Sequence, residues 1–398
     1  NSVVIQSDGK ILLGGSSQLY INLVRYNSDG SLDSTFGSGG KVISDVPGHY
    51  QDQCKSVAIQ SDGKILVGGF AAFSGDDQRH FVLIRYNNDG SLDTSFGTDG
   101  IVIGRVGECN SISIQSDGKI LLGGTSSFAF AIERYNTDGT LDITFGIDGE
   151  VTTPIGSSSE ANSMIIQSGG KIVLGGHSNT TDFALARYNN DGSLDITFGS
   201  DGIITTPIGS SCKGNSVVIH NSGKILIAGN SNDGTSIFNF TLVSYNSDGS
   251  LDNDFGVEGK VVTPIGDSYS TGRSLGVDSN GKIILGGYAY NGAFLDLALV
   301  RYNGNASVGI GEGPFAQRAS NIYPNPFNSS TIIQIDTQLK NAELNIYNAF
   351  GQLVKQEENI SGKEIQLSRN NLPSGIYFFQ LTENNKIIVA DKLIIRDE

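Results

Sequence analysis

Two residue patterns in this 398-residue chain carry groups able to do chemistry. The first is YNxDGxLD, which in its first copy sets Asn27, Asp29 and Asp33 at positions 1, 3 and 7. Oxygens at alternate positions suit a calcium loop, but the terminal bidentate glutamate of an EF-hand is missing. The motif therefore reads as an Asx-rich turn. The second is the Arg of RYN, which can pair with the Asp of the following LD inside one repeat. Ser244 replaces that Arg in the fifth copy while Asp252 stays, so the pair is not essential to every copy. The four histidines, His49, His80, His177 and His220, are scattered without metal-ligand spacing. No nucleophile elbow, P-loop or HExxH is present. No catalytic, cofactor-binding or metal-binding residue is assigned, and no cofactor is called for.

These motifs sit on a repeat. Gly-Lys pairs recur at Gly9, Gly63, Gly118, Gly170, Gly223 and Gly281, about every 54 residues. RYN recurs at Arg25, Arg85, Arg134, Arg187 and Arg301, with SYN at Ser244, and LDxxFG starts at Leu32, Leu92, Leu141, Leu194 and Leu251. Each unit reads as four strands, a to d. In the first, Val3-Val4-Ile5 is strand a, and Ser7-Asp8-Gly9-Lys10 is a hairpin turn that tolerates positive φ. Strand b follows at Ile11-Leu12-Leu13, strand c runs through Leu23-Val24-Arg25-Tyr26, and Lys41-Val42-Ile43 is strand d. Strands a and b are apolar at consecutive positions, so both of their faces must be covered. Small sheets packed between like sheets meet that demand, and the period suits a β-propeller better than a solenoid. The fold class expected is all-β: a propeller of six four-stranded blades, or seven with upstream repeats, then a small Ig-like β-sandwich. The last copy shows no clear strand d. The chain opens at Asn1 inside a repeat, so a processed, trimmed or partial N-terminus is expected.

In such a meander the a–b and c–d turns lie at one end of each blade, and the b–c and d–a loops at the other. The turns are nearly identical from copy to copy, whereas the loops differ. Variable loops on a rigid scaffold are where binding evolves. The candidate contact residues are Tyr20, Tyr50, Phe73, Asp76, Asp77, Arg79, Asp182, Asp233, Tyr269, Tyr288 and Tyr290. Loop carboxylates meeting over a central channel would be the basis of glycoside chemistry. The absence of Trp weakens a sugar-stacking site, although Tyr and Phe can substitute.

Composition narrows the class. Charged residues make up 17% and hydrophobic ones 38%, with 53 glycines, which is globular and turn-rich. The net charge of −15 disfavours nucleic acid. No 18-residue apolar run exists, so no membrane span is expected. Three cysteines, Cys54, Cys109 and Cys212, are too few for a disulfide framework and read as small buried thiols. A Cys54–Cys109 bridge between neighbouring repeats is the alternative.

The segments IQSDGKILLGG, RYNSDGSLDxTFG and GKVxTPIG, as they stand here, resemble the delta-60 repeat family of bacterial secreted proteins. The resemblance covers residues 1–304 and implies a propeller and secretion, with no activity attached. The repeated SxDG resembles the Asp-box of sialidase propellers but lacks its aromatic placement. Residues 305–318 read as a flexible linker. Residues 319–398 then form short alternating runs, about seven strands. Their YPNPF (Tyr323, Pro324, Asn325, Pro326, Phe327), LNIYNAFGQLV with Gly351, LPSGIYFFQL with Gly375 and Tyr377, and terminal KLII from Lys392 resemble the type A C-terminal sorting domain of bacterial type IX secretion. That resemblance implies recognition by the secretion machinery, export through the periplasm to the cell surface or beyond, and surface lipopolysaccharide as an anchor. The two prolines are expected to fix an extended entry strand with Tyr323 and Phe327 packed at its ends.

The expected function is a secreted or surface-anchored binding or adhesion module for a glycan or protein. The alternatives are a polysaccharide-active propeller enzyme and a structural surface component.

Overall fold

A computed structural model describes residues 1–303 and 320–397, apart from 18, 74–77, 235–236, 266–268, 291–293, 349–351 and 384–385. The described chain divides into two compact units, a repeat body ending at 303 and a C-terminal unit beginning at 320. Among the described residues no helix is long and apolar enough to cross a membrane. The 305–318 linker lies outside the described residues.

The repeat body consists of six antiparallel sheets, one per repeat, each with its strands in chain order. Blade one contains β1 (Ser2–Ile5), β2 (Ile11–Ser17), β3 (Tyr20–Tyr26) and β4 (Lys41–Ser44). Blade two contains β5 (His49–Ile59), β6 (Ile65–Phe73), β7 (Arg79–Tyr86) and β8 (Ile101–Val106). Blade three contains β9 (Glu108–Ile114), β10 (Ile120–Ser126), β11 (Ala129–Tyr135) and β12 (Glu150–Thr153). Blade four contains β13 (Ser159–Ile166), β14 (Ile172–Ser178), β15 (Asp182–Tyr188) and β16 (Ile203–Pro207). Blade five contains β17 (Ser211–Ile219), β18 (Ile225–Asn232), β19 (Asn239–Tyr245) and β20 (Lys260–Thr263). Blade six has only β21 (Ser270–Val277), β22 (Ile283–Tyr290) and β23 (Leu295–Tyr302). The architecture is a six-bladed β-propeller. Its sixth blade has no fourth strand among the described residues.

The continuous apolar runs have their reason in this stacking. β6, β10, β14 and β18 are buried along nearly their whole length, because each inner blade is covered on both faces. Each of the strands β5, β13, β17 and β21 carries a bulge just before the repeat's Ser, and β9 has one in its pairing with β10. At this point neighbouring blades join. The hydroxyls of Ser2, Ser56, Ser111, Ser163 and Ser216 accept hydrogen bonds from the N–H groups of Val57, Ile112, Met164, Val217 and Leu275 in the next blade, at 3.1 to 3.2 Å. First strands therefore meet first strands, which places them innermost, where the blades converge.

The same next-blade side chains fill a notch left by glycine. A Cβ added to Gly175 would lie 2.1 Å from Val217 Cγ2, and one on Gly68 would lie 2.5 Å from Ile112. These glycines are required by close approach, not by turn geometry. The end blades show the same surfaces uncovered. Val3, which aligns with Val57 and Val217, is 61% exposed, and Leu297 on the sixth blade is 97% exposed. Among the described residues no further blade covers these faces. Gly286, equivalent to Gly175, meets nothing closer than 3.5 Å, and that atom belongs to its own blade's Leu299.

Cys54, Cys109 and Cys212 are free and buried, so the Cys54–Cys109 bridge is not formed. The Cys54 and Cys109 sulfurs instead pack against Gly14 and Gly68 of the preceding blade.

The C-terminal unit is a bent five-stranded sheet consistent with an Ig-like domain. It contains β24 (Ser320–Tyr323), β25 (Ser330–Asn348), β26 (Leu353–Ser368), β27 (Gly375–Glu383) and β28 (Lys386–Ile395), ordered β24-β25-β27-β28 with β26 also on β25. About seven short strands were expected, and five are found, four of them long. TIIQID and ELNIYN are two ends of β25, and LVKQ and KEIQLS two ends of β26. Asn341, Asn359 and Gly362 adopt positive φ, so these strands kink and shift register without leaving the ladder. The core includes Ile333, Leu344, Ile346, Leu367, Phe379, Leu381 and Leu393.

Gly175→Ala should therefore lower stability by about 1–3 kcal/mol in chemical denaturation, through overpacking against Val217. Gly286→Ala, the same residue in the same motif, should change it by less than about 0.5 kcal/mol. Equal effects would show that the seam does not impose the glycine.

Candidate functional site

The repeated polar residues are committed to joining the blades. In blade two, Arg85 Nε donates to Asp93 Oδ2 at 2.7 Å, and Arg85 Nη1 donates across the seam to the Thr137 carbonyl of blade three at 2.5 Å. The guanidinium carbon lies 4.2 Å from the Phe96 ring centroid. Lys64 Nζ approaches the same Asp93 oxygen at 2.8 Å, and Ser95 donates to the other oxygen at 2.7 Å. Arg25, Arg134 and Arg187 repeat the arrangement with Asp33, Asp142 and Asp195, reaching the carbonyls of Asn88, Asn190 and Ser247 in the following blades. Burial alone would raise the Asp93 carboxyl. Lys64, Ser95 and Arg85 outweigh it and hold the group well below the ordinary carboxylate range.

The fifth blade solves the problem differently. Ser244 Oγ donates to Asp252 at 2.9 Å, and Lys224 lies 2.6 Å away. With no Arg to cross the seam, His220, which replaces the Gln of other copies, donates from Nε2 to the Gly281 carbonyl of blade six at 2.9 Å. The paired change of Arg to Ser and Gln to His is one substitution of linkage.

The supposed calcium oxygens are likewise engaged. Asp29 accepts from the Ser31 backbone and hydroxyl, and Asp33 from Arg25 and Thr35, with Lys10 3.0 Å away. The motif is a turn plus a clamp.

Side chains that differ from blade to blade gather at the opposite end. Arg79 pairs with Glu108, and its guanidinium lies 4.6 Å from the Phe70 centroid, with Lys55 over the same ring at 5.3 Å. Lys213 and His177 lie 3.5 and 3.7 Å from Glu160. Arg273 donates to the Tyr288 hydroxyl at 3.0 Å, and Tyr288 stands 6.1 Å from Tyr269, which is 5.5 Å from Phe238. Tyr290 donates its N–H to the Tyr269 carbonyl.

Of the expected contact residues, the structure thus brings together Tyr269, Tyr288 and Tyr290, and sets Arg79 in the cation group. Phe73 packs between His49 and His80 at 4.2 and 5.2 Å. Tyr20 and Tyr50 are exposed on blades one and two, while Asp182 and Asp233 are on blades four and five. Asp76 and Asp77 lie outside the described residues. Sequence reasoning missed Lys55, Glu108, Glu160, Lys213 and Arg273. Their signal was present in the few residues that open strand a (QCKS, ECNS, EANS, KGNS, TGRS), where charge changes from copy to copy.

Among the described residues two carboxyls are raised, and both are buried. Burial pushes Asp52 up to about 6; it is fully enclosed and accepts from the Val46 N–H. Burial also raises Glu133, which accepts from Tyr135 Oη and the Arg105 N–H.

In the C-terminal unit, YPNPF does not continue an extended strand. β24 stops at Tyr323, and the prolines form a bend containing two cis X-Pro peptides. Phe327 is buried, but Tyr323 is 80% exposed, so only one of the two aromatics packs. Asn325 holds the bend to the last strand: its Nδ2 donates to the Lys392 carbonyl at 2.9 Å and its Oδ1 accepts from Ile394 N–H at 2.8 Å. Phe327 exchanges backbone hydrogen bonds with Ile394 and Arg396. Tyr377 Oη donates to the Pro373 carbonyl and Gly375 opens β27 at an extended φ, while Gly351 lies outside the described residues. Motif elements 70 residues apart thus close one seam.

Comparison with known proteins accords with both units. A model described as a domain of unknown function (DUF5122) beta-propeller matches six times, at residues 6–36, 60–96, 115–145, 167–198, 220–255 and 279–308. A secretion system C-terminal sorting domain matches residues 321–396. No curated protein matches. Among solved structures, PorZ, an essential surface component of the type IX secretion system of Porphyromonas gingivalis, aligns at 13% identity and a TM-score of 0.39 over 98% of this chain; the chain spans 58% of PorZ. A Bacteroides caccae protein of unknown function aligns at 14% identity and a TM-score of 0.43, covering 74% of this chain and 90% of that one. The propeller domain of the Trilobed protease from Pyrococcus furiosus aligns at 11% identity and a TM-score of 0.34, covering 85% and 91%. The chain carries six DUF5122-type propeller repeats and a type IX sorting domain, which directs export to the cell surface or the extracellular space.

The clamp sets an acid limit on stability. Its aspartates are depressed in the folded state, so their contribution is present above the unfolded carboxylate value of about 3.9 and lost as pH falls below it. Asp142→Asn, which leaves Arg134 and Lys119 facing a neutral group, should cost about 3 kcal/mol in urea unfolding at pH 7. The gap to the parent protein should shrink steadily toward pH 3. Asp252→Asn, with no Arg to strand, should cost less. A pH-independent gap would refute the assignment.

Proposed function

We propose that the propeller is a ligand-binding module that the sorting domain delivers to the cell exterior, with the ligand taken at the loop end of the innermost strands. One observation carries this reading. Polar side chains repeated from blade to blade are bonded within and between blades, whereas those that vary, including Arg79, Lys213, Arg273, Tyr269 and Tyr288, gather at one end beside aromatic rings. A polysaccharide-active enzyme is less well supported, because the raised carboxyls, Asp52 and Glu133, are buried in hydrogen-bonded interiors.

For the C-terminal unit we infer the usual fate of a sorting domain: recognition by the type IX machinery, removal, and attachment of the propeller to surface lipopolysaccharide or its release. The Asn325 and Phe327 contacts to Lys392–Arg396 support the view that the machinery reads a folded surface rather than a linear tag.

Two measurements check this. Full-length protein on glycan and surface-protein arrays should bind one ligand class, and exchange of the rim residues for those of another blade should abolish it; array binding that survives the exchange would move the site elsewhere. In cells of a type IX-secreting host, deletion of residues 319–398 should leave the propeller in the periplasm. Phe327→Ala, losing about 3–5 kcal/mol of packing from a domain with a small core, should reduce export in the same direction. Surface display of the deletion variant would overturn the export reading.

A further inference from the structure

We infer that the inner rim is an anion site and that its ligand is a carboxylate-bearing polysaccharide; this rests on the binding reading above. The chain as a whole is strongly acidic, at −15. In this group four cations, Lys55, Arg79, Lys213 and Arg273, stand with two carboxylates, Glu108 and Glu160. These residues come from blades two, three, four, five and six. Arg79 pairs with Glu108 of the next blade, Lys213 with Glu160 of the blade before it, and Lys55 shares the Phe70 ring with Arg79, so side chains from separate blades meet in pairs here. Burial makes that lysine easier to deprotonate, and the three neighbouring cations add to the effect against the single opposing Glu108. Such a space is short of negative charge, and an incoming anion relieves it.

Two of these cations are not required by the scaffold. Four of the six repeats have Asn at this place in strand a, and its amide caps a carbonyl of the next blade. Asn1 donates to Cys54, Asn110 to Ala161, Asn162 to Gly214 and Asn215 to Gly272, at 2.7 to 2.9 Å. Lys55 and Arg273 stand where those asparagines stand. Lys55 thereby gives up a seam hydrogen bond that the same fold makes elsewhere, and lies over Phe70 instead. A departure that forgoes a structural bond and gathers like charge points to a ligand.

The neighbours define the ligand's second property. Phe70 supports Lys55 and Arg79, and Tyr288 supports Arg273 at 5.4 Å, so the cationic heads are held over ring faces with N–H groups left to bind outward. Phe238, Tyr269 and Tyr288 continue as an aromatic strip beside them. Guanidinium groups match carboxylates bidentately, and flat rings match the C–H face of a pyranose. A polymer with a carboxylate on each sugar ring satisfies both at once. An acidic peptide satisfies only the charge.

The test uses the full chain and polygalacturonate, with neutral dextran and polyglutamate alongside, in titration calorimetry. Polygalacturonate should bind, and its Kd should weaken at least tenfold between 50 and 500 mM NaCl as the charges are screened. The Lys55→Asn, Arg273→Asn variant restores the residue that the other repeats carry, so it keeps the fold and should keep or raise the melting temperature. It should weaken polygalacturonate binding at least tenfold. No binding to polygalacturonate, or undiminished binding by the variant, overturns the anion site. Equally tight binding to polyglutamate overturns the sugar. If arrays show a neutral ligand that this variant still holds, the binding module stands and the anion site falls; if arrays show no ligand at all, both fall.

Discussion

Everything in the repeat body depends on one recurring contact, the seam where the first strand of a blade lies against the blade before it. In the first four seams a glycine is left bare so that a Val, Ile or Met of the next blade can enter, the fifth seam having Ala228 there, and in all five a serine hydroxyl takes the entering residue's N–H. On the outer side, a guanidinium passes from its own aspartate to the neighbour's carbonyl. Apolar contact supplies most of the stabilisation. The polar links fix angle and register, because a buried guanidinium is tolerated only where all its partners are in place. A blade cannot bury its own faces, so stability is a property of neighbours and grows with each seam.

That demand explains what could be read from the sequence. Consecutive apolar residues in KILLGG, the Gly-Lys and Asp-Gly turns, and the repeat spacing are local consequences of the seam, and they identify blades, strands and turns directly. That the last blade shows no fourth strand among the described residues was legible for the same reason. The Arg–Asp pairs were visible as a possibility inside a blade. Their reach to the next blade was not, because it joins residues 52 to 63 positions apart. The candidate site was read only in part. Loop variability pointed to the end where Tyr269 and Tyr288 stand together and Arg79 lies over Phe70. It overlooked Lys55 and Arg273, since these lie in a strand that looks conserved, and a cation among asparagines stands out only once the asparagine's bond is known. In the C-terminal unit, kinks at Asn341 and Asn359 let two pairs of short runs merge into long strands, which no alternation pattern reveals.

Division of labour follows from the same economy of side chains. With arginine, lysine and aspartate of the repeat fixed in seams, the innermost strand is left with a few positions whose identity the scaffold does not dictate. Changing those positions alters the rim and gives up no more than one seam hydrogen bond each, so one scaffold can carry rims of different charge. The exported unit is independent of that choice, since its Asn325 and Phe327 contacts lie wholly within itself.

The seam between the fifth and sixth blades is the exception, and it has a mechanical meaning. There a neutral histidine–carbonyl bond stands where four other seams have a guanidinium clamp. The last blade is also one strand narrower than the rest among the described residues. Along the chain it lies between five broader blades and the C-terminal unit. A pull from the C-terminal side reaches this blade first and meets a seam without a guanidinium clamp. Under load this blade would part before the five-blade block, and because Arg273 belongs to it, the parting would also take apart the proposed rim.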